Sequence, residues 1–328
     1  MSMNFNDVKN SDPFDGLPEA IVQILLSTYN GEAFLAELLD SLTAQTFTKW
    51  SLLVRDDGSN DLSPMILDSF RQKYPGKMEI IDRNSNTNLG PLNSFARLLE
   101  YSSSAYVAFC DQDDVWMEDK LENQLKIMLD IEKSCGPGLP VLVHSDMMVC
   151  DHKMKCIGES FWKYQNLEPL RMKNLRCLLL QNFVTGCTIL MNRALVKKSI
   201  PVPEKAVMFD WWIALKAQIY GRIETIELPL VKYRQHGHNV IGVRRWYDRI
   251  IETMFLKNGS YRKDLLDTKL QAQALFRFCG SVDNKDYAVV SNYVKMYEKG
   301  LLLRKILYLK YGFKKHGRLR QLLTWLLI

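Results

Sequence analysis

The sequence predicts an α/β protein with a mostly parallel central sheet, followed by a helical C-terminal region. Short apolar, β-branched segments alternate with amphipathic segments of about ten to fifteen residues from about residue 20 to residue 143. This alternation is typical of a parallel sheet with helices on its faces. Beyond residue 243 the sequence shows helical periodicity and no further strand pattern.

Five strands and four helices are predicted in the first half of the chain. The strands are expected at 20–27, 50–55, 77–82, 105–110 and 140–145, and the helices at 31–45, 62–74, 91–101 and 117–133. The first helix has a clear period, with Leu35, Leu38 and Leu42 on one stripe. Longer elements follow: a helix near 168–181, a strand at 185–191, a helix at about 208–220 and a strand at 223–234.

These elements define the expected domain organisation. We expect a disordered N-terminal segment at 1–18, one α/β domain at 19–243 and a helical region at 244–328. Within the domain, the change to longer elements separates residues 19–146 from residues 147–243. The chain has 328 residues, 47% hydrophobic and 24% charged, which is a globular composition.

The positive charge of the chain is confined to its C-terminus. The formal net charge is +6, but eight of the 43 Lys and Arg residues fall in residues 299–328, which contain no Asp or Glu. The remaining 35 basic residues are balanced by 37 acidic ones. Because this larger part of the chain is slightly acidic and would repel phosphate, we do not expect a nucleic-acid partner.

Cysteine usage and the N-terminus indicate a cytoplasmic protein. The seven cysteines form no CxxC pair and no regular spacing, which disfavours a disulfide framework and a zinc site. The N-terminus lacks the basic and apolar segments of a secretion signal, and no run of about eighteen apolar residues occurs.

Acidic residues follow three of the predicted strands, at the sheet edge where open α/β folds bind ligands. They are Asp56 and Asp57 after the second strand, Asp111, Asp113 and Asp114 after the fourth, and Asp146 after the fifth. Clustered carboxylates need a counter-ion, and Mg²⁺ or Mn²⁺ is the simplest because it binds both carboxylates and phosphate oxygens. Two structural explanations stay open: an aspartate can cap the following helix, and DDGS also forms an ordinary turn.

The glycine-rich phosphate-binding loops are missing from this sheet. The first strand runs into STYNGE rather than GxGxxG, and GxxxxGK[ST] does not occur. A dehydrogenase or a P-loop enzyme is therefore disfavoured.

A series of segments resembles the family-2 glycosyltransferases, in particular their rhamnosyltransferase-like branch. The segments are LLSTYNGE, VRDDGSND, NTNLGPLNSFARLL, VAFCDQDDVW, LVHSD, NFVTGCTILMNRAL, FDWWIAL and YRQHGHN, and they cover about residues 20–242 in order. The resemblance implies a GT-A fold with a nucleotide-binding half and an acceptor-binding half. It further implies sugar transfer with inversion, from a nucleoside-diphosphate sugar, in bacterial cell-surface polysaccharide synthesis.

The resemblance assigns residues to the donor and to a divalent metal ion. For the nucleotide sugar these are Thr28, Tyr29, Asn30, Asp56, Asp57, Asp111, Arg234 and His236. Asp57 matches the acid that binds the base, Asp111 lies near the ribose, and Arg234 is expected to meet phosphate charge. The metal ion, Mn²⁺ or Mg²⁺, is expected on Asp113, with Asp114 and His236 as further candidate ligands.

The resemblance makes Asp210 the candidate catalytic base, which takes the proton of the acceptor hydroxyl. An acid that only stabilises the helix dipole is the alternative. Thr185, Gly186, Trp211 and Trp212 match the acceptor side, although both tryptophans could equally belong to the core. The chain departs from the usual His-Asp-Trp-Trp at Phe209, so a role for that histidine in orienting the acid is missing.

Substrates and alternative functions stay open at this point. The resemblance suggests dTDP-rhamnose, while UDP- and GDP-sugars are used on the same scaffold, and it suggests a saccharide or lipid-linked saccharide as acceptor. A catalytically silent sugar-nucleotide-binding protein and a nucleotidyltransferase are the alternatives. The second would usually carry a glycine-rich, basic loop after the first strand, which STYNGE is not.

The basic C-terminal segment also carries an apolar stripe. Its members are Leu302, Ile306, Leu309, Phe313, Leu319, Leu322, Leu323 and Leu326. Two explanations are possible: a helix that packs on the domain, or an amphipathic anchor on the anionic inner face of the cytoplasmic membrane.

Overall fold

The computed structural model describes residues 14, 16–18, 20–83, 87–237, 258–278 and 285–328. The predicted disordered segment 1–18 and the predicted boundary at residue 243 lie largely or wholly outside the described residues. None of the helices within the described ranges is long and apolar enough to cross a membrane.

One mixed sheet of nine strands organises the described part of the chain. The strands are β1 (Val22–Thr28), β2 (Trp50–Asp56), β3 (Met78–Ile81), β4 (Tyr106–Asp111), β5 (Val115–Trp116), β6 (Val141–Cys150), β7 (Cys156–Gly158), β8 (Ile189–Asn192) and β9 (Arg222–Arg234). Their order is β3-β2-β1-β4-β8-β6-β9-β5, with β7 on β6. The first four and the pair β6–β9 are parallel, whereas β8 runs antiparallel between β4 and β6. The predicted mostly parallel α/β sheet is confirmed.

Helices cover the sheet and continue to the C-terminus. They are α1 (Leu35–Thr43), α2 (Ser63–Lys73), α3 (Gly90–Tyr101), α4 (Lys120–Cys135), α5 (Phe161–Gln165), α6 (Pro169–Met172), α7 (Leu175–Leu178), α8 (Arg193–Ser199), α9 (Phe209–Tyr220), α10 (Asn258–Phe278), α11 (Lys285–Met296), α12 (Leu301–Lys310) and α13 (Arg318–Leu327).

Two predicted elements differ from the structure. The helix expected at 168–181 is split into α6 and α7, because the side chain of Asn174 accepts a hydrogen bond from the Cys177 amide and starts a new helix. The strand expected at 185–191 begins as a 3₁₀ turn, Gly186–Thr188, and only then becomes β8. This turn brings its backbone N–H groups to the sheet edge.

The core lies on both faces of the sheet, because successive side chains of a strand point to opposite faces. Leu25 of β1 packs in the cluster that contains α7, α9 and the C-terminal helices, while Ile24 and Leu26 pack in the cluster beneath α1 and α4. Burial on both faces explains why β1 is an uninterrupted apolar run. The parallel register aligns Thr28 with Asp56, and Ser27 with Asp111, at the carboxyl edge.

Candidate active site

Asp56 shapes the loop that follows β2. Its carboxylate accepts hydrogen bonds from the Thr28 hydroxyl at 2.8 Å, the Ser59 amide at 2.9 Å and the Ser59 hydroxyl at 2.6 Å. Both of its oxygen atoms are therefore used inside the protein, and the loops after β1 and β2 are held together.

Asp57 is buried and holds the start of α3. Its carboxylate pairs with the buried guanidinium of Arg55 and accepts hydrogen bonds from the amides of Leu89, at 2.7 Å, and Gly90, at 2.8 Å. Gly90 has a φ of +73°, a backbone conformation that favours glycine. The carboxylate expected to bind the base thus already has three partners in the protein.

The loop after β1 is fixed by a residue that the sequence analysis did not select, Gln112. Its side-chain oxygen accepts from the Tyr29 amide at 2.8 Å, and its side-chain nitrogen donates to the Tyr29 carbonyl at 2.9 Å. A Cβ on Gly31 would displace this side-chain amide and disturb its two hydrogen bonds to Tyr29. Asn30 adopts a φ of +48° and accepts from the Asn60 amide. Tyr29 itself stays 47% exposed at the sheet edge.

A deep acidic cluster lies where β4 ends. One carboxylate oxygen each of Asp111 and Asp114 and the Cys187 sulfur lie within 4.8 Å of one another. Asp114 is fully buried; its Oδ1 accepts from the Arg234 amide at 3.2 Å, and its Oδ2 has no hydrogen-bond partner among the described residues. Burial raises the pKa of Asp114 above its ordinary value. Burial, followed by the charges of Asp113 and Asp210, raises the pKa of Asp111 to about 7.

Asp113 and His236 form a shallower pair above this cluster. The Asp113 Oδ2 and His236 Nε2 atoms are 2.7 Å apart, and each side chain is about one-seventh exposed. The imidazole packs against the ring of Phe34, with the centroids 4.7 Å apart. This pair brings the end of β4 into contact with the segment after β9. His238, in the same predicted segment, lies outside the described residues.

Arg234 does not present its guanidinium to the site, in contrast to the prediction. The residue is 3% exposed, and its side chain donates to the carbonyl oxygens of Asp113, at 2.9 Å, and His152, at 3.0 Å. It also pairs with the Glu37 carboxylate and lies over the Phe34 ring. The sequence could not distinguish a phosphate-binding arginine from one that holds the loop carrying the acidic cluster.

Asp210 lies at the start of α9, and three groups hold its carboxylate. Oδ1 accepts from the Trp211 amide at 2.5 Å and the Asn182 side chain at 3.3 Å, and Oδ2 accepts from the Gly186 amide at 3.0 Å. Burial outweighs the backbone donors and raises the pKa of Asp210 to about 7. A carboxyl group with a pKa near neutrality is suited to accept a proton. Asn182 was not predicted, although it stands in the quoted segment NFVTGC.

The residues around Asp210 divide between the core and the site. Phe209 is buried and packs against Phe95 and Phe109, with ring centroids 4.4 and 4.9 Å away. A Cβ on Gly186 would lie 2.7 Å from the Phe209 ring. Asp210 is therefore oriented by backbone donors and Asn182, without a histidine at position 209.

Of the two roles left open for Trp212, its surroundings fit the core and not contact with an acceptor. It is fully buried, and its indole N–H donates to the Ser199 carbonyl at 2.8 Å. Trp211 is partly exposed, and its indole N–H donates to the Leu178 carbonyl at 2.6 Å. Thr185 is also partly exposed. Cys187, next to Gly186, is a core residue: it is fully buried, and burial raises the pKa of its thiol.

A divalent cation fits the shallow pair better than the deep cluster. Asp113 and His236 offer a carboxylate oxygen and an imidazole nitrogen, donors suited to Mn²⁺. The deep cluster offers a thiol whose raised pKa keeps it protonated and unsuited to bind Mg²⁺ or Mn²⁺. Of the neighbouring acids Asp113 and Asp114, Asp114 is the less accessible to a cation, because it is fully buried beneath the Arg234 backbone.

The mixed α/β sheet and the C-terminal helices are those of a GT-A protein. The chain belongs to glycosyl transferase family 2, whose family model matches residues 23–199. It is 27% identical over 224 residues to an uncharacterized protein of Mycobacterium tuberculosis, covering 67% of this chain and 60% of that protein's length.

Two further relatives carry functional names. The dTDP-rhamnosyl transferase RfbG of Shigella flexneri is 24% identical over 253 residues, which cover 73% of this chain and 82% of the relative. The UDP-Glc:alpha-D-GlcNAc-diphosphoundecaprenol beta-1,3-glucosyltransferase WfgD of Escherichia coli is 26% identical over 202 residues, which cover 61% and 72%.

Solved structures share the fold at low sequence identity. S. aureus TarS 1-349 in complex with UDP superposes with a TM-score of 0.52 at 18% identity, covering 93% of this chain and 86% of that one. The mannosyltransferase PcManGT of Pyrobaculum calidifontis, in complex with GDP-Man and Mn²⁺, gives a TM-score of 0.50 at 15% identity, covering 90% and 85%.

Proposed function

We propose that this protein is an inverting glycosyltransferase that moves a sugar from a nucleoside diphosphate to a hydroxyl group of a saccharide. The observation that carries the proposal is the position of Asp210. Its carboxylate has a pKa of about 7, and its charge acts on Asp111 at the donor edge. A single displacement requires a base next to the donor site, and the base works best when its pKa is near the working pH.

Asp210 acts on the acceptor in this reaction. Its carboxylate takes the proton of the attacking hydroxyl, whose oxygen forms the new bond to the anomeric carbon. The bond from that carbon to the diphosphate breaks, and its electron pair stays on the diphosphate. Asn182 and the Gly186 amide keep the carboxylate in place. The attack comes from the side opposite the leaving group, so the anomeric configuration inverts.

We propose that Asp113 and His236 hold a divalent metal ion, Mn²⁺ or Mg²⁺. When bound, the ion would neutralise the charge of the departing diphosphate. Tyr29, Asn30 and Asp111 are proposed to contact the nucleotide sugar at the same edge. Thr28 is fully buried and is proposed to act through its hydrogen bond to Asp56. Asp56 and Asp57 are proposed to act through the loops that they hold. Thr185, Gly186 and Trp211 are proposed to contact the acceptor.

The names of the relatives guide the choice of substrates. RfbG is named for transfer from dTDP-rhamnose, and WfgD for transfer of glucose from UDP-Glc to a sugar on diphosphoundecaprenol. We propose dTDP-rhamnose as the first donor to test, followed by UDP- and GDP-sugars. The proposed acceptor is a saccharide on a lipid carrier, used for cell-surface polysaccharide at the inner face of the cytoplasmic membrane.

A panel of nucleotide sugars tests this function. Each is incubated with the protein and acceptor in Mn²⁺ or in EDTA, and the released nucleoside diphosphate is measured. We expect release with one donor and a loss of more than about a hundredfold in Asp113→Ala, because a preorganised electrostatic group is removed. Asp130→Ala, an exposed acid on α4, is the matched control.

Two results would contradict the proposal. Near-wild-type turnover in Asp113→Ala would exclude the proposed metal ligand. Metal-dependent nucleotide binding by calorimetry, without turnover of any donor, would favour a catalytically silent sugar-nucleotide-binding protein.

A further inference from the structure

The last two helices leave an apolar surface uncovered. We define the leucine face as Leu302, Ile306 and Leu309 on α12 with Leu319, Leu322 and Leu326 on α13. Each of these side chains is about half exposed or more, up to 76% for Leu302. Single exposed leucines are ordinary, but a contiguous set of this size marks an interaction surface.

The opposite sides of these helices are firmly packed. Tyr308, Phe313 and Ile328 are buried in the same core cluster as α9, and Tyr261 and Thr324 share a buried hydrogen bond of 2.7 Å between their hydroxyl groups. Of the two explanations for the apolar stripe, packing on the domain therefore accounts for Phe313. It leaves about half or more of each side chain of the leucine face exposed.

The two rows of leucines adjoin each other. The Lys305 ammonium on α12 lies 5.0 Å from the centroid of the Trp325 ring on α13, and these residues are next to Ile306 and Leu326 in the chain. The Trp325 ring also packs against the core cluster and its indole N–H is buried, so this contact holds α12 and α13 together.

The charged residues of the segment 299–328 itself are all basic. Lys299, Lys310, Lys314 and Arg318 are exposed, and residues 299–328 contain no acid. Other basic residues of the segment have structural tasks; Arg320, for example, donates to the carbonyl oxygens of Gln165 and Asn166. The four exposed basic residues are therefore the ones available to contact an anionic surface.

The leucine face is also connected to the acceptor side. The His316 amide donates to the Gln181 side chain at 2.8 Å, and the next residue, Asn182, contacts Asp210. The segment between α12 and α13 is therefore tied to the segment that holds the proposed base.

We propose that the leucine face docks the protein onto an anionic lipid bilayer. Charge complementarity selects this occupant over a second copy of the chain, because a symmetric contact would bring two sets of basic residues together. The suggestion that docking presents a lipid-linked acceptor to Asp210 rests on the proposed function. The docking of the leucine face onto a bilayer does not depend on the proposed function.

Vesicle flotation of the full chain tests the docking. Wild type should float with vesicles of equal parts phosphatidylglycerol and phosphatidylcholine, and remain unbound with phosphatidylcholine alone. Leu302→Gln with Leu309→Gln should weaken binding by about tenfold or more, and each of Lys310→Gln and Lys314→Gln by about fivefold. Leu170→Gln with Leu228→Gln, 64% and 55% exposed elsewhere, is the matched control and should bind as wild type does.

Three results would overturn the proposal: equal binding to both kinds of vesicle, equal weakening in the control pair, or a wild-type dimer that the Leu302→Gln and Leu309→Gln pair converts to a monomer in light scattering. Point variants are preferable to deletion of 299–328, because Tyr308, Phe313 and Ile328 belong to the core. Turnover of a nucleotide sugar with a water-soluble acceptor separates this test from the proposed function, since it requires no vesicle.

Discussion

Two groups of aspartates lie at the same edge of the sheet, but their surroundings differ. The carboxylates of Asp56 and Asp57 each accept three hydrogen bonds or ion pairs from neighbouring residues. Burial instead raises the pKa of Asp111 and Asp114. The first pair stabilises the folded loops. In the second group the negative charge of the carboxylates is unfavourable because they are buried. A substrate group, a proton or a cation can compensate that charge.

The difference arises from the backbone around each group. The turn after β2 and the start of α3 offer several N–H donors to the first pair. The end of β4 meets the buried Cys187 instead, where one oxygen of Asp114 has no partner among the described residues. Residue type alone therefore does not separate a structural acid from a functional one.

Asp210→Asn should give the largest effect. We expect kcat/KM to fall by about a thousandfold because the amide cannot accept the proton. The thermal unfolding midpoint should stay close to that of wild type, and nucleotide binding measured by calorimetry should persist. Activity within tenfold of wild type would show that Asp210 is not the base.

Asp57→Ala should mainly affect stability. Its removal leaves the buried Arg55 charge without its closest partner, so we expect a loss of about 3 kcal/mol in the free energy of unfolding. Urea denaturation measures it. The control is Asp68→Ala, which removes an exposed ion pair with Arg83 and should cost less than about 1 kcal/mol. Equal costs would mean that burial does not distinguish the two pairs.

The rate should depend on pH through Asp210. Its pKa is about 7, and only the deprotonated carboxylate can act as a base. We therefore expect kcat/KM to fall about fiftyfold from pH 7 to pH 5 and to level off above pH 8. Asp111 has a similar pKa, so the Asp111→Asn variant should keep this acidic limb if Asp210 causes it. A flat profile in that variant would assign the limb to Asp111.

Asp111→Asn should give a small gain in stability. The folded-state pKa of about 7 exceeds the usual value of about 4, so the folded protein binds this proton more tightly than the unfolded chain. Wild-type stability then declines as the pH rises from about 4 to 7, and the variant escapes that decline. In EDTA we expect the free energy of unfolding of the variant to exceed that of wild type by about 1 kcal/mol at pH 8 and to equal it at pH 4. The difference at pH 8 is smaller than the pKa shift alone would give, because Asp111 is partly exposed.

Much of the fold could be predicted because its determinants are local. The apolar runs at β1, β2 and β4, and the amphipathic period of α1, are properties of neighbouring residues. The split at Asn174 was missed because a side-chain cap overrides an apolar run. The position of β8 between β4 and β6 depends on contacts between distant segments.

The sequence by itself determined the α/β architecture, the acids at the strand ends and the basic, leucine-rich C-terminus. The tertiary structure decided what those residues do. It buried Trp212 and the guanidinium of Arg234, and it placed Gln112 against Tyr29 and Asn182 against Asp210. The physical reason is that burial and hydrogen-bond partners depend on segments far apart in the chain. The same residue type can then be a satisfied structural group in one place and a group with a shifted pKa in another.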